Sequence, residues 1–417
     1  MKKFLILILW LSTIVYAGLW TFENPEKIEK IKSEIKKNEK VETRIVSSKS
    51  KNISANSFTV KLTQVLENNS KTAFVTYPSN IKKFDPLNLT IFTQTGMKIQ
   101  RNESKKINLP SFFTLQRNGG IKTIFYLEEK TFALISASEG KCFFASIIFL
   151  ENGEEVFRSK CLPEDPSNND FNGLGSSNVH LKESILLSIG TPEKHMSKNS
   201  LLAQENSSMF GKILEIKKKD LNEFLKKNSK TFKIKIFSKG HRVPQGLTVL
   251  NDKVFNVEHG PKGGDELNQV IKEKNYGWPV VSYGTNYLKG SGGDGKSIKV
   301  SHEESNYEEP LFAFVPSVGI SALNNCPSIL KTYYKKNCLM ALSLYGNNLR
   351  KGHSLIIFLL NDNLDKVQSI EKIFLDNLIL RHFVTNKENI LYEDEKGAIY
   401  ISADKKGIYR LEFTDFR

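Results

Sequence analysis

A strand, a polar loop and a second strand recur along this chain, and this repeat limits the possible folds more than any other feature. The clearest copies join residues 183–189 to 211–216 and residues 397–402 to 407–413, and residues 251–258 resemble the first half of the unit. One such unit cannot bury both of its faces alone, so several must stack. The pattern predicts an all-β fold, a β-propeller, for which about 360 residues allow six or seven blades of roughly 40 to 60 residues.

A β-sandwich or jelly roll is the competing all-β architecture, which explains the strands but not the repeated loops. Short segments rich in β-branched and aromatic residues, separated by polar turns, begin near residue 56 and predict strands. Helical periodicity is clearest in the short stretch 217–227. The segments that most clearly predict strands are 58–62, 73–77, 121–127 and 132–136.

The first residues have the pattern of an export signal. Lys2 and Lys3 precede an uncharged run from Phe4 to Phe22, and residues 15–17 offer small side chains where a signal peptidase cuts. We expect a signal peptide over residues 1–17 and a periplasmic or extracellular protein. The alternative is a retained membrane anchor, because 19 uncharged residues are just long enough to span a bilayer.

Residues 18–55 are rich in Lys, Glu, Ser and Asn and predict a charged linker ahead of a propeller domain at 56–417. Ile28, Ile31 and Ile35 fall at helical spacing among alternating charges, which predicts a short solvated helix within the linker.

Four cysteines in an exported chain favour disulfide bonds. Their grouping pairs Cys142 with Cys161 and Cys326 with Cys338, although three pairings are possible and four free thiols are the alternative. No cysteines or histidines have the spacing of a zinc site.

The net charge is +15, from 60 Lys and Arg against 45 Asp and Glu. Such a balance attracts anions but says little about fold. No clustered stripe of basic and aromatic residues is present, which argues against nucleic acid as a partner.

Residues 240–287 contain glycine-rich segments together with residue types that bind ligands or metal ions. Glycines at 260, 263 and 264 allow backbone groups to approach a ligand closely. Asp265 and Glu266 carry oxygen donors suited to Ca²⁺, and Arg242 suits a carboxylate. A glycine-rich turn whose acids only pair with the basic surface is the alternative.

Three segments within this stretch, at 240–247, 258–268 and 275–284, resemble the signature of the exported aldose sugar dehydrogenases, the glucose/sorbosone dehydrogenase family. That family uses pyrroloquinoline quinone (PQQ) and calcium on a six-bladed β-propeller. Weaker similarity extends over roughly 130–413. The resemblance implies six blades, a small-molecule sugar substrate and hydride transfer from the sugar to PQQ.

The resemblance also implies roles for individual residues. Gly260 and Pro261 would offer main-chain carbonyls to Ca²⁺. Arg242 and Gln245 would contact the cofactor, because arginine pairs bidentately with carboxylates such as those of PQQ. The further cofactor contacts that the resemblance implies are Arg381 and Lys351.

One departure from the family pattern affects catalysis directly. Asn172 stands where the family has the histidine that accepts a proton from the sugar, and an asparagine amide cannot do this at neutral pH. A general base contributes on the order of 10² to 10⁴ in rate. His259 is a weak candidate to replace it, and His180 and His195 lie near Asn172 in the sequence only. Val243 and Ile379 also replace polar residues of the family.

Two functions of different classes follow. The first is an exported PQQ-dependent enzyme that oxidises a sugar. The second is a catalytically degenerate propeller that binds a carbohydrate or a protein partner with the same loops. The sequence has no Ser-His-Asp elbow, P-loop or dinucleotide fingerprint that indicates another chemistry.

Overall fold

The computed structural model describes residues 25–38, 40–46, 50–163, 168–226, 233–287, 295–296, 298, 301–302, 306–345 and 353–417. The predicted signal peptide and Lys351 lie outside these ranges. No helix within them is both long and apolar enough to cross a membrane.

Strands dominate the described residues. The helices are α1 (Pro25–Lys37), α2 (Lys198–Leu201), α3 (Lys218–Leu225) and α4 (Ser328–Tyr334), with short 3-10 helices at Pro86–Asn88, Gln116–Asn118 and Phe171–Leu174. The strands before residue 160 are β1 (Thr43–Ile45), β2 (Ser50–Ser54), β3 (Thr59–Asn68), β4 (Thr72–Thr76), β5 (Thr90–Thr93), β6 (Met97–Gln100), β7 (Glu103–Lys106), β8 (Ile121–Leu127), β9 (Lys130–Glu139), β10 (Cys142–Phe149) and β11 (Glu154–Arg158). The strands after it are β12 (Asn178–His180), β13 (Ser184–Ile189), β14 (Lys212–Lys217), β15 (Ile234–Lys239), β16 (Val243–Leu250), β17 (Lys253–His259), β18 (Asp265–Val270), β19 (Phe312–Phe314), β20 (Ile320–Asn325), β21 (Asn337–Ser343), β22 (Ser354–Leu360), β23 (Val367–Phe374), β24 (Leu380–Phe383), β25 (Ile399–Ala403) and β26 (Gly407–Thr414).

These strands form six antiparallel sheets, which are the blades of a six-bladed β-propeller. Blades 1 to 5 each take four consecutive strands, from β4–β7 to β20–β23. The inner strands β4, β8, β12, β16, β20 and β24 contact one another in that order, and β24 contacts β4, so the ring is closed. The six-bladed fold expected from the sequence is confirmed.

Blade 6 joins the two ends of the described chain. Its order is β24, β25, β26 and β3, with Thr414 paired to Thr59 and Gly407 paired to Glu67. The short strands β1 and β2 also pair with β3. Both strands fall inside the stretch predicted as a linker, so the sheet begins earlier than expected. The helix predicted there is present as α1.

Packing between blades accounts for the large number of apolar residues. Middle strands such as β13 and β21 are buried along almost their whole length, because each blade is covered by a neighbour on both faces. Phe125 and Phe132 stack at 5.2 Å between ring centroids within the core shared by blades 2 and 3.

Both disulfides suggested by the grouping of the cysteines are present. Cys142 and Cys161 have Cα atoms 5.2 Å apart and tie β10 to the segment after β11. Cys326 and Cys338 have Cα atoms 5.4 Å apart and enclose α4.

The inner strands all begin at the same end of the ring, because each blade repeats the same antiparallel order. We call this end the upper mouth, and it is defined by the residues that open the inner strands: Thr72, Ile121, Asn178, Val243, Ile320 and Leu380. The channel below it is nearly filled, with a cavity of about 30 Å³ along the axis. Asn389 contributes to this filling by donating a hydrogen bond from Nδ2 to the carbonyl of Asn178 at 2.6 Å.

Candidate functional site

Arg242 is a buried cation at the upper mouth, immediately before β16, and is 7% exposed. Its Nη1 donates a hydrogen bond to the carbonyl oxygen of Gly260 at 2.6 Å. Its Nε lies 3.6 Å from the Glu193 carboxylate, and the guanidinium sits 5.1 Å from the centre of the Trp278 ring. These contacts fix the arginine against the glycine-rich loop between β17 and β18.

That loop is folded so tightly that its first glycine has no room for a side chain. A Cβ on Gly260 would lie 2.2 Å from the carbonyl oxygen of Gly264, and Gly264 itself has a φ of +72°. Pro261 is buried beside them. The glycines therefore allow the Gly260 carbonyl to face Arg242.

Asp265 holds this loop in place. One carboxylate oxygen accepts a hydrogen bond from the Gly260 amide at 3.2 Å. The other accepts from the amides of Val318, Gly319 and Ile320 at 3.0, 2.6 and 3.2 Å. Both oxygens are thus engaged by N–H donors, and the Ca²⁺ contact expected for Asp265 stays a prediction.

Glu266 is buried and contacts other side chains of blade 4. It pairs in register with Glu258 across β17 and β18, and its Oε2 accepts a hydrogen bond from Asn268 Nδ2 at 3.2 Å. Burial raises its pKa well above the usual range, and the neighbouring Glu258 charge raises it further. The Ca²⁺ contact expected for Glu266 stays a prediction. Within the described ranges, no group of three or more His, Cys, Asp or Glu side chains is arranged to hold a metal.

Of the two histidines of the glycine-rich segments, His241 is buried and His259 is half-buried. His241 Nδ1 lies 3.0 Å from Glu258 and Nε2 lies 2.8 Å from Ser238 Oγ, so both ring nitrogens have partners. Burial lowers the pKa of His259, with the Asp265 charge acting against it. The Nε2 of His259 is buried without a hydrogen-bond partner, and no described contact links this ring to the Asn172 loop.

Glu193 lies beside Arg242 and was not expected there from the sequence. It follows β13, is 5% exposed, and accepts a hydrogen bond from Ser200 Oγ. Burial raises its pKa to about 7, although the Arg242 charge opposes the shift. Its Oε1 has no hydrogen-bond partner. No motif marks this position, and only folding places it under Arg242.

A second group of cations lies at the upper mouth on blades 6, 1 and 2. Arg381 pairs with Asp404, with Nε 3.1 Å from Oδ1. Lys122 Nζ donates to the carbonyl of Asn118 at 2.8 Å. Burial lowers the pKa of Lys122 to about 7; Asp170 opposes this shift, and Arg381, Lys36 and Lys71 add to it. Burial and Arg381 also lower the pKa of Lys71. Of this group, only Arg381 was expected from the sequence.

Gln245 lies inside the ring rather than on its rim. It lines the small axial cavity together with Ser176, Ser177 and His382. Burial lowers the pKa of His382 to about 4, with Arg381 adding to the shift, so this ring is neutral in the core.

Asn172 is exposed at the upper mouth in the 3-10 helix Phe171–Leu174. Its loop is bonded to the segment that follows β13, because the Gly190 amide donates to the carbonyl of Leu174 at 2.7 Å. The Thr191 amide donates to the carbonyl of Arg242 at 2.8 Å. The structure thus connects Asn172, Arg242 and Gly260 through adjoining backbone segments.

The fold and the site define a six-bladed β-propeller whose upper mouth holds a buried arginine against a glycine-rich loop on blade 4 and further cations on blades 6, 1 and 2. The family described as Glucose / Sorbosone dehydrogenase matches residues 149–406, and the chain belongs to this family.

Two curated relatives agree with this membership over part of their length. The chain is 33% identical over 129 residues to the aldose sugar dehydrogenase YliI of Escherichia coli, which is 29% of this chain and 33% of that protein. It is 34% identical over 112 residues to quinoprotein glucose dehydrogenase B of Acinetobacter calcoaceticus, which is 25% of this chain and 23% of that protein. The matched part is therefore about a third or less of each relative.

Solved structures share the fold over nearly their whole length. A crystal structure of glucose dehydrogenase has a TM-score of 0.62 at 20% identity, covering 85% of this chain and 99% of that one. The apo-form of the soluble aldose sugar dehydrogenase from Escherichia coli has a TM-score of 0.60 at 18% identity, covering 89% and 99%. The PQQ-bound aldose sugar dehydrogenase from Streptomyces coelicolor has a TM-score of 0.53 at 14% identity, covering 90% and 98%.

Proposed function

We propose that this protein is an exported quinoprotein that oxidises a sugar, with PQQ and Ca²⁺ held at the upper mouth. The observation that carries the proposal is the contact between Arg242 and the Gly260 carbonyl, in the loop where the family signature is densest. Export is supported by the two disulfides, since such bonds persist outside the cytoplasm.

The charges at the upper mouth suit an anionic cofactor. Arg242, Arg381, Lys71 and Lys122 are positive groups, and the depressed pKa values of the two lysines reflect burial together with mutual repulsion. A ligand with several carboxylates, such as PQQ, would offset this repulsion. Arg242 Nε lies 3.6 Å from Glu193, and the guanidinium charge would attract such a ligand.

The oxygens that suit Ca²⁺ are the main-chain carbonyls of Gly260 and Pro261. Carbonyl oxygens are hard donors, and a carbonyl has two lone pairs, only one of which Arg242 needs at Gly260. Asp265 contributes indirectly by holding the Gly260 amide. When bound, PQQ supplies the hydride acceptor, and Ca²⁺ supplies a Lewis acid. The protein's own residues bind and orient the ligand, and Gln245 closes the axial channel beneath the mouth.

The test is to purify the protein, add PQQ and Ca²⁺, and record the spectrum of bound quinone and the reduction of a dye with a panel of aldoses. We expect a bound quinone and turnover of at least one aldose. No quinone binding at tens of micromolar would overturn the proposal. An Asn172→His variant that gains activity would identify the position of the missing family base.

The second candidate is a propeller that binds a carbohydrate or protein partner without turnover. The exposed Asn172 favours it, because no proton acceptor stands at the family position. Quinone binding with no reduction of dye by any aldose would support this second candidate.

A further inference from the structure

We propose that His195 accepts the proton released when the sugar is oxidised, in place of the family histidine that Asn172 replaces. This inference rests on the proposed function. It concerns a residue outside the glycine-rich segments, on the long connection between β13 and β14.

The reaction needs a proton acceptor whichever residue supplies it. Oxidation of an anomeric alcohol breaks the C–H and the O–H bonds and forms the carbonyl of a lactone. The hydride carries both electrons of the C–H bond to the quinone, which is thereby reduced. The remaining proton goes to a neutral imidazole, which becomes an imidazolium. The amide of Asn172 has no basic lone pair for this step.

The backbone segment that leads to His195 is bonded both to the Asn172 loop and to Arg242. The Gly190 amide donates to the carbonyl of Leu174 at 2.7 Å, and the Thr191 amide donates to the carbonyl of Arg242 at 2.8 Å. The Lys194 amide donates to the carbonyl of Asn168 at 3.3 Å. His195 follows directly, and its ring is close enough to Arg242 and Asp170 for both charges to act on it.

The ring itself is available for proton transfer. It is half-buried and lies edge-on to Tyr287, with 5.8 Å between ring centroids. Its Nδ1 is buried without a hydrogen-bond partner, whereas Nε2 is not buried. We assign the transferred proton to Nε2.

The charges around His195 keep the ring neutral. Burial lowers its pKa, Lys194 and Arg242 lower it further, and Asp170 opposes them. Glu193 lies two residues away, but its carboxyl is directed to Ser200 and Arg242. A neutral imidazole at pH 7 is the form that can accept a proton.

Three other described histidines, His180, His241 and His382, are less suitable. His241 has partners on both nitrogens, and His382 lines the axial cavity. His180 ends β12 and so lies at the opposite end of the ring from the upper mouth. His180 therefore provides a matched control.

The experiment compares His195→Gln with His180→Gln in protein loaded with PQQ and Ca²⁺. We expect both variants to show the bound quinone spectrum. We expect kcat of His195→Gln to fall by about 10² to 10⁴ while His180→Gln keeps the wild-type value. In the wild type, kcat/KM should rise with pH through the pKa of His195, and this rise should be absent from His195→Gln. Imidazole added to a His195→Ala variant should restore part of the rate, which a purely structural role would not allow.

A second readout does not depend on turnover. The ¹⁵N signals of the His195 imidazole, assigned by their loss in His195→Gln, should shift when a lactone product is added to the loaded protein. If the wild type binds no quinone, the proposed function fails and this inference fails with it. If the wild type turns over but His195→Gln is unchanged, the assignment to His195 alone is overturned. Bound quinone without turnover in the wild type would also overturn it, because His195 would not act as a base.

Discussion

Arg242 and Gly260 are joined by a hydrogen bond of 2.6 Å from the arginine Nη1 to the glycine carbonyl oxygen. Arg242 immediately precedes β16, and Gly260 follows β17, the strand that pairs with β16 in blade 4. The arginine also reaches Glu193 from blade 3. One side chain therefore ties the glycine-rich loop to the preceding blade.

Arg242→Lys should weaken quinone binding by about 10- to 100-fold, because lysine keeps the charge but loses the planar set of donors. The measurement is quinone titration followed by its absorbance. Arg158→Lys is the matched control. Arg158 lies on β11, the outer strand of blade 2, and pairs with Glu139 at the end of β9. Equal affinities for the two variants would contradict the role given to Arg242.

Glu193→Gln should change how stability depends on pH. The pKa of Glu193 is raised from 4.5 to about 7, so the folded protein holds a proton that the unfolded chain loses in this interval. This contribution is fully present below pH 4.5 and is lost as the pH rises to 7. The variant should lack this loss, with a difference of at most about 3 kcal/mol above pH 7. Urea unfolding between pH 4.5 and 8 measures it, and parallel curves for the two proteins would refute it.

Asp265→Asn should lower the free energy of unfolding by about 2 to 4 kcal/mol. The change removes a charged acceptor shared by four buried backbone amides, and the new amide group brings donors into the same space. Asp252→Asn, in the exposed turn between β16 and β17, is the control and should cost little. Urea unfolding compares the two variants. Similar losses in the free energy of unfolding would show that the hydrogen bonds around Asp265 do not stabilise the fold more than an exposed carboxylate does.

Replacing Cys142 and Cys161 together by serine should cost about 2 to 4 kcal/mol, because the bond restricts the unfolded chain over a separation of 19 residues. Chemical unfolding with and without a reductant measures the effect. The reductant should destabilise the wild type more than the double variant, in which only the Cys326–Cys338 bond remains. The same response in both proteins would argue against the first bond.

The sequence predicted the propeller because its strands repeat with polar loops between them. It missed β1 and β2 because both are short, polar and largely exposed, with no apolar alternation to mark them. A strand that covers little apolar surface has no alternation of apolar and polar residues by which to predict it.

The site was harder to predict than the fold. The sequence shows that Asp265 is a carboxylate, but not that four backbone amides converge on it. Glu193, Lys71 and Lys122 belong to different blades and carry no motif, so only the closed ring brings them to the same mouth. Arg242 was named from the sequence because its neighbours carry the dense signature, and its contact with the cofactor stays a prediction.

Pairing of β3 with β26 means that the two ends of the described chain complete the same blade. Contacts between residues this far apart in sequence are slow to form, because a long loop must close first. The upper mouth takes residues from every blade, and β26 lies between β25 and β3 in the blade that closes the ring. We therefore expect a chain cut before Gly407 to lose this closure, and with it the part of the mouth formed by blades 6 and 1.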